Sequence, residues 1–308
     1  MLPFRLVYDP LYDLRLGPHV FPSQKYRLLH DRLLRTHFCT EEDFIAPEPA
    51  TDEDLLLVHE PHWVDKLRNG TLTYDEILKL EIPYSSDTMN AFLMGAGGTI
   101  LAARLALQAR FGFNLSGCFH HAFPGHGEGF CPINDIGVAV RRLQKDGNIR
   151  RAMIVDCDVH HGNGTAGMFA SDRSVFTLSI HQFNNYPREK PLSTMDIDLA
   201  DNTGDEEYLK RLRNGLAGAL SMFRPDLLIY VAGADPYYAD QLGGLALTFR
   251  GLMERDQLVI GTAVREKISL ATVLAGGYAE NVEDTITIHA NTAVVALEVL
   301  AGGPAMAS

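Results

Sequence analysis

The run Ile154-Val-Asp-Cys-Asp-Val-His-His-Gly-Asn-Gly164 sets Asp156, Asp158 and His160 at alternate positions. Alternate side chains of an extended strand share one face, so three metal-competent groups converge while the strand lasts. Two adjacent carboxylates beside an apolar run repel unless a cation or donors neutralise them, which argues against an ordinary solvated strand end. Asp235 closes a second apolar run, 227–231, and can bring a further oxygen to the same place. One imidazole with two carboxylates suits Zn²⁺ or Fe²⁺ better than a thiolate-selected ion, and it leaves positions open for water and substrate.

His120 and His121 follow another apolar run. Two adjacent imidazoles at a strand end, in a chain that also offers this metal set, suggest a base and an acid around an activated water. Tyr278 follows Ala275-Gly-Gly, where the backbone can pass close to a ligand and a phenol can donate to a developing oxyanion. Other histidines suit the scaffold. His59 and His62 have near-metal spacing but flank Pro61, a favourable first residue of a helix. His161 and His181 are expected to hydrogen-bond within the scaffold, and His126 to line a mouth. Cys157 faces away from its neighbouring aspartates, into the core.

The elements that must position these groups alternate between two periodicities. Short runs rich in β-branched residues at 115–119, 152–158, 175–181, 227–233 and 271–277 read as strands. Helical patterns at 87–110, 134–145, 206–223, 249–267 and 282–300 separate or follow them, and a capping pattern at Thr51 and Asp54 starts another helix. This predicts one α/β domain over 1–308, a parallel β-sheet flanked by helices on both faces, with the first 80 residues as flanking helices and turns. Each chemically competent residue falls at the C-terminal end of an expected strand, where open parallel sheets form their ligand crevice.

Composition narrows the partners. With 39 acidic against 27 basic residues and a formal charge of −12, direct binding of nucleic acid is not expected. Cys39, Cys118, Cys131 and Cys157 form no Cys-x-x-Cys pair and read as reduced thiols of a cytoplasmic protein. The N-terminus turns polar too early for a signal peptide, and runs such as 227–233 are too short to span a bilayer. The pattern specifies no oligomer.

Taken together, Phe119-His-His, Gly129-Phe-Cys, Asp156-Cys-Asp-Val-His-His-Gly-Asn-Gly164, Thr177-Leu-Ser-Ile-His181, Gly233-Ala-Asp-Pro-Tyr-Tyr-Ala-Asp-Gln-Leu-Gly243 and Gly276-Gly-Tyr278 resemble the histone deacetylase family, over about Tyr8 to Leu300. Phe21-Pro-Ser-Gln-Lys-Tyr26 and Gly97-Gly-Thr-Ile-Leu-Ala-Ala103 look most like class IV and its bacterial relatives. The resemblance implies the arginase/deacetylase fold and a zinc-dependent amidohydrolase that removes an acetyl or longer fatty acyl group from lysine side chains or a related amine. It implies zinc on Asp158, His160 and Asp235, His120 and His121 as base and acid, and Tyr278 on the acyl carbonyl. Asp156 would hydrogen-bond His120 and, with Asp158, His160, Ser179 and Ile180, hold a structural potassium ion. Phe130 and Tyr186 would wall the acyl-lysine tunnel, and the Gly129 carbonyl would accept the substrate amide. Asn163 stands where class I members have an Asp, giving His121 a neutral partner that favours its neutral form.

Class I members also carry a carboxylate at the tunnel mouth. Asp87 lies near that region without a matching motif, so the rim is expected to lack one and selectivity to rest on a long acyl chain. Two rivals fit less well. A two-manganese ureohydrolase needs more bridging carboxylates, and a non-catalytic acyl-lysine binder would not need Tyr278.

Overall fold

The computed structural model describes residues 1–302, so the last six residues of the expected single domain, 303–308, lie outside the described residues. Among these residues eight parallel strands form one sheet: β1 Leu6–Val7, β2 Phe44–Ile45, β3 Phe111–Asn114, β4 Ala152–Asp156, β5 Val175–Gln182, β6 Met195–Leu199, β7 Leu227–Ala232 and β8 Ser269–Leu274. Their order is β2-β1-β3-β8-β7-β4-β5-β6. Every residue of β4, β7 and β8 is buried, which is the signature of a parallel sheet covered on both faces.

Among the described residues ten α-helices accompany them: α1 Lys25–Arg35, α2 Asp52–Leu55, α3 Pro61–Asn69, α4 Tyr74–Leu80, α5 Ser86–Ala109, α6 Asp135–Lys145, α7 Asn163–Phe169, α8 Asp205–Met222, α9 Phe249–Glu266 and α10 Val282–Leu300. Helix α5, backed by α6, packs on β3 and β8, while α1, α10, α9 and α8 pack successively against one another, with α9 also on β7 and β8. Helix α5 is long and apolar enough to cross a membrane by length and composition, but 72% of its most apolar window is buried inside the protein, as befits a core helix. Thr51 caps α2 through the backbone N–H of Asp54, whose carboxylate returns a bond to Thr51, as the sequence predicts.

Three differences from the sequence reading have physical causes. No strand forms at the expected 115–119; it lies earlier, at Phe111–Asn114, because Gly117 (φ 105°) and Cys118 (φ 59°) leave the extended region. The N–H groups of Cys118 and Phe119 bond the Asp135 carboxylate instead of a neighbouring strand (3.1 and 2.6 Å). The strand expected at 152–158 likewise stops at Asp156, since Asp158 N–H donates to Asp156 Oδ1 (3.1 Å) and His160 N–H to Asp158 Oδ1 (3.0 Å). Strands β1 and β2, two residues each, lie within the segment read as helices and turns, and the edge strand β6 was also not expected. Two-residue strands carry no period at all, whereas Met-Asp-Ile-Asp-Leu does alternate, and its two aspartates in a largely polar stretch make it read as a loop.

His59 and His62 belong to the scaffold and not to a metal site. Exposed His62 pairs with Glu60 (3.2 Å). Buried His59 donates from Nδ1 to the Phe123 carbonyl (3.0 Å) and accepts the Asn134 N–H at Nε2 (2.9 Å). A second ring proton would face that N–H, and burial lowers the His59 pKa to about 4 against the bond to Phe123. The folded value lies below the ordinary ~6.5, so the unfolded chain takes up the proton first. The associated stability, about 3 kcal/mol, is complete above pH ~6.5 and is lost as pH falls towards 4. Melts of the parent and His59→Gln across that window should show a flatter pH slope in the variant. Identical slopes would assign acid sensitivity elsewhere.

Candidate active site

Sheet order brings the C-terminal ends of β8, β7 and β4 side by side. Asp235 follows β7, Asp158 and His160 follow β4, and Gly276-Gly-Tyr278 follows β8. Buried Arg255 of α9 ties these ends together: its guanidinium donates to the carbonyls of Gly233 (2.5 Å) and Cys157 (3.4 Å) and pairs with Asp256 (2.8 Å). Cys157 is fully buried, as expected of the opposite strand face.

Asp158, His160 and Asp235 offer ligand atoms that all lie within 4.8 Å of one another. His160 Nδ1 is 3.0 Å from Asp158 Oδ1 and 3.4 Å from Asp235 Oδ2. Asp235 is 0% exposed; its Oδ1 accepts the Val159 N–H (2.9 Å), whereas Oδ2 has no hydrogen-bond partner. Burial first, then the charge of Asp158, pushes the Asp235 pKa up to about 7. Burial alone would lower the His160 pKa, but the two aspartates beside it push it up to about 10. Two buried carboxylates around one imidazole, with a carboxylate oxygen left without a hydrogen bond, are a donor set that fits a divalent ion. Only glycine fits at 276, where a Cβ would lie 1.7 Å from Asp235 Oδ2 and 2.7 Å from Asp158 Oδ2.

The two histidines face each other across 3.1 Å at Nε2. His120 Nδ1 donates to Asp156 Oδ2 (2.8 Å), and His121 Nδ1 donates to Asn163 Oδ1 (2.6 Å). Their environments diverge. Burial would lower both, but the charge and hydrogen bond of Asp156 raise the His120 pKa, whereas burial followed by the His120 charge takes His121 well below its ordinary value. Cationic His120 can donate its Nε2 proton towards the free lone pair of neutral His121. Burial raises the Tyr278 pKa far above the usual phenol value, which keeps its hydroxyl a donor.

His120, His121, Asp158, His160, Gly276 and Tyr278 line one pocket with Gly129, Phe130 and Tyr186. The Tyr186 and His121 rings meet edge to face at 4.9 Å, and Phe130 and Tyr278 do so at 6.1 Å. A Cβ on Gly129 would sit 2.8 Å from both His121 and Tyr186, so glycine is needed for that approach. Ser179 lies opposite Asp156 in the β4–β5 register. Ile180 is buried and apolar, so it could offer an ion only its carbonyl.

Asp87 is elsewhere. It is exposed, 3.4 Å from Arg15, beside a separate groove lined by Leu11, Pro49 and Met94. Glu81 lines the mouth of the pocket instead, which corrects the expectation of a rim without a carboxylate. It ends α4 in a left-handed conformation (φ 55°), and its carbonyl accepts from His19 (2.9 Å). Sequence gave no spacing signal for it.

Two further residues were missed. Glu128 accepts from Asn163 Nδ2 (2.5 Å) and from the Tyr186 hydroxyl (3.2 Å), and His126 lies 3.6 Å away. Burial opposes its charge, but these partners hold its pKa below the ordinary value, so the neutral partner of His121 is itself backed by a carboxylate. Lys25, buried under the Phe21, Tyr26 and Tyr278 rings, donates to the Ala275 carbonyl (2.6 Å), steadying the turn before Tyr278, and burial lowers its pKa to about 8. A charged residue within an amphipathic helical pattern reads as solvent-facing, so nothing local marks Lys25 as buried.

A parallel sheet with helices on both faces and this polar cluster at its C-terminal edge is the arginase/deacetylase fold. The same fold is seen in a histone deacetylase homologue from Aquifex aeolicus, with a TM-score of 0.81 at 24% identity, covering 98% of this chain and 84% of that one. The histone deacetylase domain family matches residues 19–293, and the chain belongs to the histone deacetylase family. An uncharacterized protein of Picosynechococcus is 41% identical over 93% of this chain and 96% of its own length. Histone deacetylase 2 of Arabidopsis thaliana is 30% identical over 89% of this chain and 74% of its own.

Proposed function

We propose that this chain is a cytoplasmic hydrolase that uses one divalent ion, zinc on its donor set, to remove an acyl group from a lysine side chain or related amine. The observation that carries this reading is that Asp158 and His160, which meet Asp235 within 4.8 Å, line one pocket with the His120–His121 pair and Tyr278. When bound, the ion supplies a Lewis acid for the acyl carbonyl and an activated water. Phe130 and Tyr186 flank the acylated side chain, and the Gly129 carbonyl receives its amide N–H. Tyr278 donates to the carbonyl oxygen as negative charge develops there. His121, neutral at rest, takes the proton of the attacking water at Nε2 once that water displaces the His120 contact, and cationic His120 stabilises the charge that forms. The pair then returns a proton to the departing amine, releasing it with the carboxylate. Asp156, Asp158, His160, Ser179 and the Ile180 carbonyl form the proposed potassium site.

Glu128 gives this reading a test within the dyad. Glu128→Gln keeps the shape but removes the charge behind Asn163, and kcat should fall about tenfold or more, with KM little changed, as for other outer-sphere partners. Unchanged kcat would make Glu128 a packing residue only.

The substrate is tested by a panel of acylated peptides and amines with purified protein. Buried Tyr26, Gly117, Cys118, Phe119 and Ala275 line the deep part of the pocket, and partly exposed Asn185 and Leu242 line its outer part. Each methylene buried in that deep part contributes about 0.8 kcal/mol, so two give roughly tenfold. On a matched lysine peptide, kcat/KM should favour medium or long fatty acyl groups over acetyl by about tenfold or more. A steady decline from acetyl upward would establish a short-acyl deacetylase. A second reading, an acylated polyamine, is favoured by Glu81 at the mouth, and faster turnover of such amines than of any peptide would select it.

A further inference from the structure

On the flank of the sheet formed by β5 and β6, three side chains converge that the hydrolytic chemistry does not use. His161 and His181 are 0% and 1% exposed, with ring centroids 4.6 Å apart. Asp196, half-buried on β6, brings Oδ1 to 3.2 Å from His161 Nε2. One ligand atom from each lies within 4.8 Å of the other two. The register makes the meeting: Asp196 lies opposite Ser179 and Asp198 opposite His181, so both aspartates of β6 share the face that carries His181. His161 reaches that face from the irregular turn after β4.

Hydrogen bonding within the cluster leaves it incomplete. His181 spends Nδ1 on Ser179 Oγ (3.0 Å). Its buried Nε2 has no hydrogen-bond partner, although Asp198 Oδ1 is 3.2 Å away. The contact lacks the alignment a hydrogen bond requires. His161 Nδ1 is likewise buried without a partner. Asp196 is itself oriented by the Ser193 N–H on Oδ2 (2.9 Å), the kind of outer support that fixes a ligating carboxylate. Two imidazoles and a carboxylate, with a second carboxylate beside them and a lone pair left over, suit a borderline divalent ion.

We propose that His161, His181 and Asp196 form a second divalent-metal site, taking zinc or an ion of similar preference, with Asp198 or water in the fourth position. Its ligands are all different from Asp158, His160 and Asp235. The ion clamps β6 to the turn that carries His160, and with it the connection from β5 that carries Tyr186, so it fixes one wall of the pocket from behind.

The test uses the full chain, stripped by chelator, in potassium-containing buffer, and titrated with Zn²⁺ or Co²⁺ alone. Calorimetry and metal analysis after gel filtration should give two equivalents per chain. The second equivalent should raise Tm by about 5 °C or more at a free concentration well above Kd. Asp196→Asn and His181→Gln should each reduce the count to one, and Asp235→Asn should keep the equivalent that those variants lose. A single equivalent in the parent, with no further change in Tm or in the Co²⁺ spectrum, overturns the proposal, and that measurement needs no variant to fold. If the single equivalent disappears in Asp235→Asn but not in Asp196→Asn, the catalytic-metal reading stands and the second site falls. If two equivalents bind and Asp235→Asn removes neither, the second site stands and the catalytic-metal reading falls.

Discussion

Tyr278→Phe should lower turnover by about 10²–10³-fold while metal content and fold stay at the parent level. The substitution removes one hydroxyl and leaves a ring packed against Phe21 and Phe130 at 6.0 and 6.1 Å. The backbone that aims the ring does not depend on that hydroxyl. Tyr278 N–H donates to Asp240 Oδ2 (2.6 Å), Gln241 Nε2 donates to the Tyr278 carbonyl (2.7 Å), and Lys25 holds Ala275 three residues earlier. Loss of function in this variant therefore reports on the donor itself. An interaction made only as the carbonyl oxygen gains charge should lower kcat and kcat/KM together. Turnover within a few-fold of the parent would make the phenol structural.

Asp235→Asn should lose most of its metal, a larger effect than the roughly 10–100-fold that accompanies loss of an outer-sphere partner. Asp235 Oδ2 is a buried carboxylate oxygen without a partner, next to the charge of Asp158. The same crowding separates ligand loss from misfolding. Because the folded pKa of Asp235, about 7, lies above the unfolded value near 3.9, the stability it contributes is present below pH ~3.9 and is lost as pH rises through 7. Above pH 7 the metal-free parent therefore carries a second buried carboxylate that must share the single His160 cation with Asp158, and the variant does not. Metal-free Asp235→Asn should melt no lower than metal-free parent at pH 8, while metal analysis and activity fall together. A folded variant with the parent's metal content would remove Asp235 from the ligand set.

Both predictions concern residues that were legible in the sequence, for a common reason. Asp156, Asp158 and His160 lie within five residues, His120 and His121 are adjacent, and Tyr278 follows two glycines, so their chemistry is written locally. The long helices were equally legible: α10 occupies the expected 282–300, and α6, α8 and α9 end within one residue of expectation. A helix of three or more turns repeats its apolar period often enough to be read. Two-residue strands do not, and β1 and β2 exist only because the edge of a larger sheet offers them hydrogen bonds.

The sequence by itself thus determined the α/β alternation, the residue types of the candidate site, and their place at strand ends. Tertiary structure alone decided which strand ends are neighbours, since β8, β7 and β4 are far apart in the chain and adjacent in the sheet. It also decided the outer partners. Glu81 took the place at the mouth that Asp87 does not occupy, Glu128 came behind Asn163, Lys25 went under Tyr278, and Asp196 met His161 across the edge of the sheet. A lone charged residue in a loop or on a helix face reads as solvated whichever way it turns, because its partner lies many residues away. Only the register and crossings of the folded chain bring the two within hydrogen-bonding distance.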